Sequence, residues 1–272
     1  MRLSTFIIHQ INLLLKKIPL KIMSTEDSIN YLLTNNVSLS RYGDGELNLI
    51  MGGKIHFQEE NKELAKRLKN ILSLKEEKDF IVGIPISINS TKEYDNHTTS
   101  FWESNMLTGR MHWHRLCNRN KIYINASFTW CYMDYKNKKE AIRLFLKIPL
   151  LWENKNILIV EGMNTKLGVN NTLFNNTKSI RRIICPASNA YNKYNLIFNT
   201  VIATSKNLDL ILISLGPTAT ILSYDLYKKG IRAIDIGHIN KEYEDYLCDY
   251  NIKEKNTLTE EEYNKQIIKF IK

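Results

Sequence analysis

Apolar runs that recur along the chain, separated by polar stretches, constrain the fold more than any other feature. FIVGIP (80–85), KIYINA (121–126), NILIVEG (156–162), IRRIICP (180–186), LDLILISLG (208–216) and IRAIDIG (231–237) read as strands, several of them apolar at consecutive rather than alternate positions. A strand with one face in water alternates, whereas a strand covered on both faces needs apolar side chains in both rows. VSLSRY (37–42) adds a short alternating strand, and helical segments lie between the strands. This pattern predicts an α/β fold with a mostly parallel sheet flanked by helices, in which ligands collect beyond the carboxyl ends of the strands.

With 272 residues, 43% of them hydrophobic, the chain can bury one sizeable core, and no repeat or Pro/Gly-rich linker divides it. The expected organisation is an N-terminal amphipathic helical segment over 1–23, one α/β domain over 24–250 and a C-terminal helix over 251–272. Ser24 followed by Asp27 has the form of a helix N-cap with an acidic first turn. Ile7, Ile8, Ile11, Leu14 and Leu15 fall on one helical face, with Lys16, Lys17 and Lys21 behind them. That run is too short and too polar to span a bilayer; it suits a helix packed on the domain, on the mate in a homodimer, or in peripheral contact with a membrane.

Cys117, Cys131, Cys185 and Cys248 are widely spaced with no C-x-x-C pair, which argues against a zinc cluster or a disulfide framework. With no cleavage site after the N-terminal run, the expected location is the cytoplasm, at the inner face of the membrane if the first helix docks there. The net charge of +10 favours anionic partners. The lysines are interspersed with glutamate, as in EENKELAKRLKNILSLKEEKDF, in the manner of a solvated helix face, so nucleic acid is not an expected partner.

Five strand ends offer polar or glycine-rich loops to one rim. After VSLSRY, Asp44 and Glu46 stand one residue apart between Gly43, Gly45 and the upstream Arg41. Two such carboxylates can point at one hard cation, with the arginine fork free for a phosphate; the same residues also fit a turn followed by a helix with Glu46 in its first turn. VEGMNTKLGVNNTLF follows the next buried strand, where Lys166 and backbone amides can receive phosphate oxygens, although neither G-x-x-x-x-G-K-[ST] nor G-x-G-x-x-G is present. Ser188 and Asn189, and further on Thr218 behind Gly216 and Pro217, stand where a helix cap or a ligand contact is expected. His238 follows the last strand end and suits a metal or phosphate, and one of Glu242 and Glu244 is a candidate general base. In NHTTSFWESNMLTGRMHWHRL, Trp102, His112, Trp113 and His114 offer either sugar-stacking faces or core packing.

SRYGDGELNLIMGG, VEGMNTKLGVNNTLF, CPASNAY, LGPTATILSYDLYKKG and AIDIGHINKEYEDYL occur in the order found in the bacterial glycosyltransferases of the GT-D fold, long filed as a domain of unknown function. The likeness runs from about Ser24 to Leu247. This resemblance implies a Rossmann-like sheet and a metal-dependent transferase that moves a hexose, often glucose, from a UDP-sugar to a glycan acceptor in bacterial cell-surface polysaccharide or glycoprotein synthesis. It implies that Asp44 and Glu46 are a D-x-E pair for Mn²⁺ or Mg²⁺, with Arg41 near the diphosphate; Gly43 then lies beside the same group, and His238, from its own strand-end position, is expected as a further metal ligand. Gly162, Thr165, Lys166, Gly168, Ser188, Asn189, Gly216 and Thr218 would line the nucleotide site, and Glu242 or Glu244 would be the base. The chain departs from the family pattern at Asn170, where a glycine is usual, at Thr172, where an aspartate is usual, and at Trp130, where an arginine is common. Two alternatives stand beside this reading: a metal-dependent phosphoesterase on the same sheet, and a non-catalytic member that binds glycan or a partner.

Overall fold

A computed structural model describes residues 3–272. Eight strands, β1 (Ser38–Arg41), β2 (Phe80–Ile84), β3 (Ile124–Asn125), β4 (Asn156–Gly162), β5 (Ser179–Cys185), β6 (Leu210–Ser214), β7 (Ala233–Asp235) and β8 (Ile267–Phe270), form one sheet in the order β3-β2-β1-β7-β6-β4-β5-β8. Every neighbouring pair is parallel. The helices that cover it are α1 (Leu3–Lys16), α2 (Thr25–Thr34), α3 (Asp44–Ile50), α4 (Lys62–Leu72), α5 (Asn96–Leu116), α6 (Cys131–Asp134), α7 (Lys138–Phe145), α8 (Tyr194–Thr204), α9 (Pro217–Tyr227), α10 (Ile239–Asp249) and α11 (Glu260–Gln266).

The continuous apolar runs behave as two-sided burial requires. Leu158, Ile159 and Val160 of β4 and Ile211, Leu212 and Ile213 of β6 have no exposed surface at all, whichever face they point to. Ser24 caps α2 by accepting the N–H of Asp27 at 3.0 Å, as its sequence position predicts. No described helix is long and apolar enough to cross a membrane.

One expectation is corrected. The segment expected to be a C-terminal helix over 251–272 holds only the short α11 and then β8, which pairs with β5 at the sheet edge. Isoleucine-rich IIKF takes the extended form favoured by β-branched residues, and the chain beyond it is held by Ile271, buried and donating its N–H to Ile184 at 2.8 Å. α1 packs against α5, one of its expected placements: Asn12 is buried and its Oδ1 accepts from Arg110 at 2.6 Å, Ile11 and Leu15 are half-buried, and Ile7 and Leu14 are exposed. The side chain of Ile8 lies outside the described residues.

Candidate active site

Two cavities adjoin along the carboxyl edge of the sheet. The first, about 620 Å³, lies over the ends of β4, β5 and β6 and is lined by Gly162, Thr165, Lys166, Ser188 and Gly216. The second, about 510 Å³, lies over the ends of β1, β2, β3 and β7 and is lined by Arg41, Gly43, Asp44, Glu46 and Asp235. Phe57, Ser214, Gly216, His238 and Lys241 border both. The sheet brings them together because β7 and β6 lie between β1 and β4, so loops far apart in sequence share one rim.

The partition between the cavities is aromatic. The His238 ring stands edge-on to Phe57 at 6.3 Å and to Trp130 at 6.2 Å. Phe57 reaches this position because Gly216 has no side chain: a Cβ there would come within 2.5 Å of the phenyl ring, and its φ of +52° lies in the left-handed region. The Phe57 loop is pinned from β5. Asn189, itself left-handed at φ +53°, donates its N–H to the Phe57 carbonyl at 2.8 Å and accepts the N–H of Glu59 on Oδ1 at 2.8 Å. Asn189 therefore acts as a brace for that loop and does not line either cavity.

Asp44 and Glu46 occupy the first turn of α3, and Glu46 folds back so that Oε2 accepts the Gly43 N–H at 2.7 Å. The helix geometry and the cavity coincide here. Burial, with Asp235 and Asp44 as like charges, pushes the Glu46 carboxyl up to about 7. Asp235, at the end of β7, is raised to about 6 by burial, although Arg41 lowers it. Arg41 donates Nη1 to Thr129, lies 5.7 Å from the Phe128 ring centre, and keeps a buried Nε without a partner. The guanidinium packs on the bare Cα of Gly237, where a Cβ would sit 2.7 Å from Nη1.

Like-charged carboxylates gathered on one cavity, one of them pushed up by the others, are hard oxygen donors that fit a divalent cation able to neutralise them. Asp44 and Glu46 are the residues that could hold it. His238 does not complete a cage, since among the described residues no three His, Cys, Asp or Glu side chains converge on one metal position. Desolvation by its aromatic walls and the nearby Arg41 charge hold the His238 imidazolium below its ordinary pKa, so the ring is neutral at neutral pH.

Around the first cavity the loop after β4 is built from inside. Glu161 accepts the Leu167 N–H on Oε2 at 2.8 Å, and Asn240 of α10 accepts the Gly168 N–H at 2.8 Å. Gly168 thus spends its amide on Asn240 and does not line the cavity, while Thr165 and Lys166 do. Thr218 is buried in the first turn of α9, its hydroxyl without a partner, and lines neither cavity. Asn170 takes φ +61°, the left-handed form that explains a glycine in the family pattern and that asparagine tolerates. Thr172 lines neither cavity and donates its hydroxyl to Glu254 at 2.5 Å, so a carboxylate is still present beside it.

The two candidate bases part company. Glu244 lines the first cavity and accepts from Asn240 at 2.6 Å. Glu242 is fully buried outside both cavities, accepting the Met133 N–H at 3.0 Å with Oε1 unpartnered. Burial, with Asp134 and Asp245 as like charges, pushes Glu242 from 4.5 up to about 8. Protonated in the folded state and ionised in the unfolded one, it makes stability fall as pH rises from about 4.5 to 8. A Glu242→Gln protein is expected to lose that slope, which melting temperatures at pH 5 and pH 8 would reveal; equal slopes in both proteins would count against the burial argument.

Sequence reasoning missed Asp235 and Phe57, although Asp235 stands at a strand end inside AIDIG and was open to the same rule that selected Asp44. It also missed the carboxylates Asp95 and Asp134 in the second cavity. Of the aromatic stretch, Trp102 lines that cavity and Trp113 and His114 are core, with both His114 nitrogens unpartnered.

The family model for the glycosyltransferase GT-D fold matches residues 39–266. A probable glycosyl transferase, Gly, of Streptococcus gordonii is 36% identical over 83% of this chain and 33% of its own length. The glycosyltransferase GlyD of Streptococcus pneumoniae serotype 4 is 32% identical over 83% of this chain and 27% of its own, so the chain spans about a third or less of the length of these relatives. A solved glycosyltransferase of the domain of unknown function 1792 from Streptococcus sanguinis superposes with a TM-score of 0.86 at 33% identity, covering 93% of this chain and all of that one (100%). With the all-parallel sheet and the rim it forms, these likenesses place the chain: it belongs to the family of glycosyltransferases with the GT-D fold.

Proposed function

We propose that this chain transfers a hexose, glucose foremost, from a UDP-sugar to a glycan acceptor, with Mn²⁺ or Mg²⁺ held by Asp44 and Glu46. The observation that carries the reading is the pair of adjoining cavities: one lined by small and polar residues with Lys166, one holding mutually repelling carboxylates, meeting at Gly216 and His238. The nucleotide belongs in the first cavity, where Gly162, Thr165 and Ser188 leave the backbone accessible, and the hexose in the second. The diphosphate then lies at the junction, within the reach of Arg41 and Lys166.

As the glycosidic bond breaks, negative charge collects on the leaving diphosphate. Arg41 is already desolvated, which makes its charge worth more there than in water. Lys166 leaves its exposed ion pair with Glu260 at little cost, because such pairs contribute little. Neutral His238 can donate one N–H to a phosphate oxygen, and Phe57 and Trp130 beside it exclude water from the junction. A bound cation would supply Lewis-acid stabilisation of the same charge. The peripheral membrane contact expected of the first helix would use the exposed Ile7, Leu14 and Ile18, with Lys16 and Lys17 beside them.

The test is UDP release from UDP-glucose after exhaustive chelation and again after adding manganese. Turnover is expected only with the metal. Phosphate release from nucleotides lacking a sugar would favour a phosphoesterase instead, and tight UDP binding with no turnover on any donor would favour a non-catalytic member.

A further inference from the structure

Transfer to a hydroxyl needs a group to take its proton, and neither expected glutamate is placed for it: Glu242 is buried behind the wall and Glu244 lies in the other cavity. The second cavity holds three carboxylates apart from the Asp44, Glu46 and Asp235 group, namely Asp95, Asp134 and Asp245. Asp95 caps α5, its Oδ1 accepting the Thr98 N–H at 2.7 Å. Asp245 is bound through both oxygens to Lys241, at 3.0 and 2.9 Å. Asp134 is the least committed of the three, since Asp95 also has a free oxygen but spends the other on the short cap bond. Its Oδ1 takes one long bond from the Thr98 hydroxyl at 3.4 Å, and its Oδ2 has no protein partner among the described residues. Phe101, Trp102 and Trp130 line the same cavity, the first two packed edge to face at 5.4 Å, and aromatic faces of this kind match the apolar faces of sugar rings.

On the sugar-nucleotide reading above, we propose that Asp134 is the base that deprotonates the acceptor hydroxyl, and that Phe101, Trp102 and Trp130 seat the acceptor sugar. The acceptor oxygen forms the new bond to the anomeric carbon as the bond from that carbon to the diphosphate oxygen breaks. The electron pair of the broken bond leaves with UDP, and the acceptor proton passes to Asp134, which later returns it to water. Burial, with Asp95 as a like charge, pushes Asp134 up to about 7, while Lys138 lowers it. Glu242 of α10 also faces it, with Tyr94, Cys131 and Tyr135 as uncharged neighbours. A base with a pKa near the working pH transfers protons most effectively.

The experiment compares the parent chain with Asp134→Asn, Asp134→Ala and Asp134→Glu, using UDP-glucose as donor and water or p-nitrophenyl β-D-glucoside as acceptor. Asp134→Asn is expected to lower kcat by about 10²–10⁴-fold, with UDP affinity unchanged by calorimetry and the rise of activity with pH through about 7 abolished. Asp134→Glu should recover part of the rate. Azide carries no proton to remove, so it should restore donor turnover in Asp134→Ala and yield the glucosyl azide, which a merely structural role does not allow. Retention of more than a tenth of kcat in Asp134→Asn, or no azide rescue in a variant that folds and binds UDP normally, overturns the assignment while leaving the sugar-nucleotide reading intact. A parent chain that releases UDP from no sugar nucleotide overturns both.

Discussion

An Arg182→Met protein is expected to lose about 3–5 kcal/mol of folding stability, because it strands a buried carboxylate. Arg182 and Glu161 are both fully buried on neighbouring strands and pair at 2.6 Å between Nη1 and Oε1. Arg182 also donates Nε to Gln266 at 2.7 Å and lies 4.5 Å from the Tyr263 ring centre, so one side chain fastens β4, β5 and α11. Burial pushes the Glu161 carboxyl up even with its partner present. Without Arg182 it will take up a proton readily, so the loss should be smaller at pH 5 than at pH 8. The effect reaches the rim, because the other oxygen of Glu161 holds the Leu167 amide and with it the loop that carries Thr165 and Lys166. Denaturant unfolding at the two pH values gives the stability, and UDP titration gives the functional cost. A loss under about 1 kcal/mol would mean that the pair acts like an exposed one.

The second large effect is on activity. Asp44→Ala/Glu46→Ala is expected to lower sugar transfer by about 10³-fold or more, since it removes both carboxylates that would hold the counter-charge to the leaving group. The fold should survive. Asp44 is exposed, and losing the contact of Glu46 with the Gly43 amide costs about as much as an ordinary helix cap, ~1 kcal/mol. A double variant that unfolds would show that these residues serve α3 first; one that folds and transfers at full rate would show that they do not serve the reaction.

How far the chain could be read follows from how local each signal is. The strands β4, β6 and β7 were legible because their apolar runs are dictated by burial on both faces, and their carboxyl ends then located both cavities. That Asp44, Glu46, Arg41, Lys166 and His238 line the cavities was legible for the same reason, since each stands at a strand end or in the loop after it. Partners fixed only by tertiary packing were not legible. Asn189 and Gly168 have the residue types of ligand contacts, but the Phe57 loop and Asn240 claim their polar groups. Glu242 lies in the same acidic run as Glu244, yet faces the back of α6, and only the placement of α10 decides between them. The edge strand β8 is four residues long and follows directly on a helix, so its extended form depends on β5 being there to pair with it.

On the proposed function, Asp44 and Glu46 after β1 would hold the divalent cation that binding of a nucleoside diphosphate requires. Calorimetric titration of UDP into the metal-free chain and into the chain with manganese tests it most directly. At least tenfold tighter binding with the metal, a gain that disappears in Asp44→Ala/Glu46→Ala, is the expected result. Equal affinity with and without manganese, or a gain that persists in the double variant, would contradict it.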